Sequence, residues 1–226
     1  MTLSKKIFLL LILPALFINA AHSQTINWAS LGKEQRHIAH AHAGFDYAFV
    51  YGVGYSRQLL SPIPILATID FSTPVGNKVL DDFKTKIGGV ADLCEFNNFH
   101  LSASVYGIYR RYENPMAVLQ NFGSEFKGVF GFYQSKWFVA AEFGFDKAIV
   151  THFEHSDAFK ENYPEVKNGW YQPATGGNFS YGVQTGLSFD GVDALFRIGK
   201  VVTQDFKSSP TIPFYAEFGT NIKINR

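Results

Sequence analysis

Ionisable side chains recur at alternate positions of otherwise apolar segments. Asp46, Asp70, Asp92, Glu125, Glu142, Asp146 and Glu217 supply the acids. Lys84, Lys86, Arg110, Lys127, Arg197 and Lys223 supply the bases. Paired carboxylates invite glycoside hydrolysis, but that chemistry needs a fixed separation across a substrate, and this alternation yields such pairs by chance in every segment. No catalytic residue is assigned on that ground. Nearly balanced charges in a narrow interior must pair or stay hydrated, because an unpaired buried ion costs several kcal/mol. A structural salt-bridge network is therefore the first expectation. The alternative is a hydrated ion path, in which Asp46, Glu125, Glu142 and Asp146 face Arg110, Lys127 and Arg197.

The histidines form a second constellation. "HIAHAHAG" holds His37, His40 and His42, and "THFEHSD" holds His152 and His155. All five are expected toward one mouth of the fold. His40, His42 and His152 share the inward parity of their segments and are candidate ligands for Zn²⁺ or Cu²⁺. Their segments lie far apart, so convergence needs a narrow barrel or a folded-in loop, and solvated loop histidines are the simpler reading. No cofactor is called for. His155 and Ser156 are the one adjacent base and nucleophile in a suitable loop, the basis for an alternative reading as an ester-cleaving enzyme acting on lipid A. Cys94 stands alone, which excludes an intramolecular disulfide and predicts a buried, inert thiol.

The elements that must position these groups are strands. "GFDYAFVYGVGYS" puts Phe45, Tyr47, Phe49, Tyr51, Val53 and Tyr55 at odd positions, with glycine, serine and Asp46 between them. A period of two is the strand period. The pattern recurs from "PIPILATIDFS" to "FYAEFGTNIKI". Short turns at "LLSP", "EFNN", "QSK" and "DGVD" alternate with longer connections near 73–82, 113–121, 152–177 and 203–212. This predicts an all-β, antiparallel up-and-down transmembrane barrel of ten strands, with eight as the alternative. Strand 44–58 descends, and "QTINWASL" (24–31) supplies the rising first strand. The loop at 152–177 carries Phe153, Phe159, Tyr163, Trp170 and Tyr171, too many aromatics for a merely solvated segment. It is expected to pack on the rim or to bind an extracellular ligand, with Ser156 capping a short helix.

Which face meets water decides the class. The charged parity is filled mainly by small residues, including Gly44, Gly52, Gly123, Gly182 and Gly199, which suit a confined lumen. The opposite parity carries much of a complement of 23 Phe and 11 Tyr, as a lipid-facing exterior demands. The runner-up, a secreted lipocalin-like binding barrel, lacks its Gly-x-Trp signature, because "NWASLGK" does not supply it. The chain start "MTLSKKIFLLLILPALFINAAHSQ" places two lysines before an apolar run and small residues at Ala21 and Ser23, the pattern of a signal peptide removed after residue 23. Residues 24–226 then form a single barrel domain. A formal charge of +1 with no basic run excludes nucleic acid as a partner.

Over residues 24–226 the chain resembles the small outer-membrane β-barrel proteins of Gram-negative bacteria, the OmpA-type and porin-like group. The resemblance is one of pattern. It implies export through the periplasm, insertion by the barrel assembly machinery, outer-membrane lipid as the surrounding partner, and a structural or narrow-pore role rather than an enzymatic one. Such barrels usually finish on an aromatic residue, whereas this chain ends "NIKINR".

Overall fold

A computed structural model describes residues 25–32, 34–76, 79–173 and 176–225. The expected signal peptide, residues 1–23, lies outside the described residues. The strands are β1 (His37–Phe45), β2 (Phe49–Gln58), β3 (Ile65–Pro74), β4 (Asp82–Phe96), β5 (Phe99–Glu113), β6 (Ala117–Gln134), β7 (Trp137–His155), β8 (Gly169–Tyr171), β9 (Gly177–Phe189), β10 (Val192–Thr203) and β11 (Phe214–Ile224), with one short helix, α1 (Asp157–Asn162). Each barrel strand pairs antiparallel with its neighbours, β1 closes onto β11, and β7 joins β6 to β9, so ten strands form a closed barrel and β8 is an addition on the rim of β7.

At one end, here called lower, β4–β5, β6–β7 and β9–β10 are joined by two-residue turns. Asn97 and Asn98 both adopt positive φ, 47° and 67°, the primed hairpin geometry that matches strand twist. The upper end carries the 156–176 and 204–213 connections. The connection expected near 113–121 is a tight turn at 114–116, because β5 and β6 stay paired as far as Glu113 and Val118.

Strand 44–58 is two strands. The chain reverses at Asp46–Ala48, where Asp46 N–H donates to Ala48 O at 2.9 Å, and β1 is the "HIAHAHAG" segment. Phe45 and Phe49 stay on the outer face, their rings 5.1 Å apart. Tyr47, outward by parity, folds into the interior because it sits in the turn.

"QTINWASL" is correspondingly not a strand. Thr25, Ile26, Asn27 and Trp28 are all buried inside the barrel, with a 3-10 turn over Trp28–Ser30. Asn27 Nδ2 donates to Gln134 O at 2.9 Å and Ser188 Oγ at 2.8 Å, and Asn221 Nδ2 donates to Thr25 O at 2.9 Å. Around this plug the lower interior is apolar, with Ile38, Leu66, Val90, Phe138 and Leu195 packed against Ile26 and Trp28. Tyr133 and Phe138 stack there with ring centroids 5.0 Å apart.

Elsewhere the distribution of side chains is inverted. Asp70, Asp193, Glu217 and Asn221 are at most 2% exposed, whereas Val53, Ile87, Phe143, Phe189 and Phe218 are more than half exposed. Aromatic contacts gather at two levels of the outer face. Phe71, Phe83, Tyr109, Phe122 and Trp170 touch in succession toward the upper end, and Phe99, Phe132 and Trp137 toward the lower. From Phe99 to Tyr109 along β5, a rise of about 3.3 Å per residue and a tilt near 40° separate these levels by about 25 Å.

Two β-bulges reset the alternation. Leu93 is an extra residue in β4, so Cys94 faces outward and is exposed, correcting the expectation of a buried thiol. Ile149 is extra in β7, with Gly123 opposite Ala148 and Phe122 opposite Val150. Beyond it the inward residues are Thr151 and Phe153, and His152 turns to the outer side.

Candidate functional site

Above the plug the interior is a cavity of about 580 Å³ that reaches the upper rim. Its existence follows from residue size. At Gly182 and Gly199 an added Cβ would stand 2.3 Å from the Tyr215 hydroxyl, so Tyr215 lies flat over both, and the wall beside it stays thin.

The lumen charges lie on the inner wall as the alternation predicts, and most of them pair. Lys84 binds Asp46 in the β1–β2 turn, and Lys86 Nζ reaches across β5 to Glu125 Oε2 at 2.6 Å. Arg110 meets Asp82 at 3.1 Å, with its guanidinium 4.0 Å from the centre of the Tyr47 ring. Arg197, directly opposite Glu217 in the β10–β11 register, places Nε 3.2 Å from Glu142 Oε1 and 3.7 Å from Glu217 Oε2. Lys127 stands 3.9 Å from Glu125. Asp146 is approached by Asn178 Nδ2 at 3.5 Å. Deeper, Lys223 Nζ binds Asp193 Oδ1 at 2.7 Å, and His100 Nδ1 lies 2.7 Å from Asp92 Oδ2.

Lys127 and Arg197 border both the upper cavity and a void of about 20 Å³ beneath it, which Ile26 and Trp28 close from below. That void has room for about one water molecule. The charged layer is thus the floor of a cup, and the plug is what lies under the floor.

His40 and His42 are placed on the inner wall rather than in a mouth loop, and both converge on Asp70, with His40 Nε2 at 3.2 Å and His42 Nε2 at 3.7 Å from Oδ2. The imidazoles cross β2 over the glycines opposite them in register, Gly54 and Gly52. A Cβ would lie 2.0 Å from His40 Nε2 at Gly54, and 1.6 Å from His42 Nε2 and 2.2 Å from Phe71 O at Gly52. Gly52→Val is therefore expected to abolish the compact barrel, read as loss of the fast-migrating band in unheated gels, whereas Ala41→Val on the outer side of β1 retains it. His152 does not join them. It packs against Trp170, ring centroids 4.8 Å apart, on the far side of the bulge. Among the described residues no group of three or more His, Cys, Asp or Glu has metal-holding geometry. His37 is at the lower end, with Nδ1 2.5 Å from Tyr55 Oη.

In the long upper connection Ser156 caps α1, its Oγ accepting from Phe159 N–H at 3.3 Å. His155 turns its Nδ1 to Asn168 Oδ1 at 3.3 Å and stacks on Phe159, so it is not oriented as a base toward Ser156. The loop aromatics pack largely on the rim: Phe153 against Tyr171, and Trp170 against Phe122. The other upper loop contributes Pro210, Thr211 and Ile212 to the cavity wall. Its shape depends on Asp205, whose Oδ1 accepts from Lys207 N–H at 2.9 Å and Ser208 N–H at 3.0 Å. Those donors hold the Asp205 carboxyl well below the usual range, with the Thr203 hydroxyl adding to them. Because the folded-state value is depressed, this support is complete above the ordinary range of aspartate and is lost only as pH falls through the lower folded value. Asp205→Ala should speed amide exchange at Lys207 and Ser208 at neutral pH, measured by hydrogen–deuterium exchange.

No protein-family model matches the chain, and no curated protein matches it significantly.

Proposed function

We propose that the protein is an integral outer-membrane β-barrel whose lumen is a blind cup, open to the outside at its upper end and sealed on the periplasmic side by the plug at Thr25–Ser30. The observation that carries this reading is the inverted burial: charged and amide side chains inside, and large apolar side chains outside. In water such an exterior forfeits on the order of 25 cal/mol for every Å² of apolar surface left wet. Over a whole barrel that amounts to tens of kcal/mol, more than the roughly 5–15 kcal/mol by which domains are stable. Lipid removes the cost, and the two aromatic levels match the roughly 25 Å band of a barrel exterior. A soluble carrier of lipocalin type needs the opposite distribution.

Closure of the lower interior favours a non-conducting barrel over a pore. The purified protein should show heat-modifiable migration and fractionate with outer membranes, and in planar bilayers it should give no conductance steps. Recovery in the aqueous fraction without detergent contradicts the membrane assignment; regular single-channel steps contradict the cup.

A further inference from the structure

The floor of the cup does not balance its own charge. Among the described residues the carboxylates in this layer are Asp46, Asp82, Glu125, Glu142, Asp146 and Glu217, and the cations are Lys84, Lys86, Arg110, Lys127 and Arg197, so the carboxylates outnumber the cations by one. Lys147 also borders the cavity, with its backbone carbonyl facing Gly123, but its side chain does not redress this. It is opposite Ser124 in register, next to the inward pair Asp146 and Glu125, and alternation points it out of the barrel.

The surplus is local. Arg197 is shared by Glu142 and Glu217, and neither approach of its Nε forms a hydrogen bond. Glu217 is 1% exposed and its Oε2 is without a hydrogen-bond partner. Asp146 is met by a neutral amide, Asn178 Nδ2, at 3.5 Å. Two buried carboxylates that share one cation are incompletely compensated, so such a layer favours a cation from outside. Toward the rim the wall carries Leu119, Phe153, Val201 and Ile212, interspersed with Asn121, Thr151 and Thr211. Charge at the bottom and hydrocarbon at the collar fit an organic cation better than a bare ion, and the volume of about 580 Å³ falls in the range of small-molecule sites.

We propose that the cup binds a small organic ammonium ion, its charge in the layer where carboxylates outnumber cations, between Asp146 and the Glu217 that shares Arg197 with Glu142, and its apolar part against the collar. The proposal rests on the blind-cup reading for access from the upper side. It is tested on the folded barrel in detergent by calorimetric titration with phenethylammonium, phenylacetate and 2-phenylethanol, which share a ring and differ in charge. Phenethylammonium should bind, with phenylacetate and 2-phenylethanol at least tenfold weaker. Asp146→Asn should weaken phenethylammonium at least tenfold while leaving the heat-modifiable fold intact, and Glu217→Gln should do the same where it folds. No binding of phenethylammonium, equal binding of all three probes, or an affinity unchanged by Asp146→Asn would overturn the proposal. Conductance steps from the unmodified barrel would overturn the blind cup instead, and the titration would still decide amine binding.

Discussion

Arg197→Met should be the most destabilising replacement of a charged side chain in the lumen. It removes the cation that lies 3.2 Å from Glu142 and 3.7 Å from Glu217, carboxylate residues that are 6% and 1% exposed. It also removes the guanidinium 4.5 Å from the centre of the Tyr215 ring. Deleting one partner of a buried ion pair typically costs about 3–5 kcal/mol, because the remaining charge is left without compensation. Here two carboxylates lose their shared cation together. The expected result is a folded fraction that collapses at denaturant concentrations the native barrel survives, followed by band shift in lipid vesicles. The triple variant Arg197→Met, Glu142→Gln, Glu217→Gln should recover much of the loss, since no unpaired ion then remains. Failure of that recovery would mean that Arg197 acts through packing rather than charge.

Removal of the plug is expected to have the second large effect, and on a different observable. Trp28 and Ile26 are the side chains under the floor, and Asn27, fully buried, ties them to the lower ends of β6 and β9. Trp28→Ala should cost about 3–5 kcal/mol as a large-to-small change in a packed interior. Deleting residues 25–31 leaves the ten strands and their pairing untouched, because none of those residues belongs to the ladder. The shortened chain should still show heat-modifiable migration but should pass current in planar bilayers, where the full chain should be silent. A silent deletion variant would place the barrier in the charged layer itself.

Most of the architecture is legible from alternation alone, because a barrel with unlike faces writes its period into every strand. Nine of the ten barrel strands and the inward set from Asp46 to Glu217 follow from that pattern; the tenth, expected at 24–31, lies at His37–Phe45, and the cap at Ser156 follows instead from a serine placed before a short helical run. What alternation cannot register is a single inserted residue. Leu93 and Ile149 are ordinary apolar residues in their segments, yet each shifts the ladder by one, and so Cys94 and His152 end on the opposite side from their parity. The Asp46–Ala48 reversal is hidden for the same reason: with Phe45 and Phe49 both outward, the period runs through the turn unbroken. The plug is hidden by a different cause. Thr25 and Asn27 alternate with Ile26 and Trp28 as a half-buried strand would, but all four are buried, because the polar pair is satisfied by Gln134, Ser188 and Asn221 rather than by water. The inward direction of His40 and His42 is legible, whereas their height is not, because β1 runs from His37 at the lower end to Phe45 at the upper and so spreads the row along the wall.

The central claim is that the apolar outer face meets lipid and the charged inner face meets water. Nitroxides placed one at a time at Val53, Phe126, Val183 and Ser180 of a Cys94→Ala protein reconstituted in vesicles test it directly through collision with oxygen and with a water-soluble nickel chelate. The first three positions, which are outward and more than half exposed, should favour oxygen and exclude the chelate, and Ser180, which lines the cavity, should show the reverse. Free access of the chelate to Val53, Phe126 and Val183 would contradict the account.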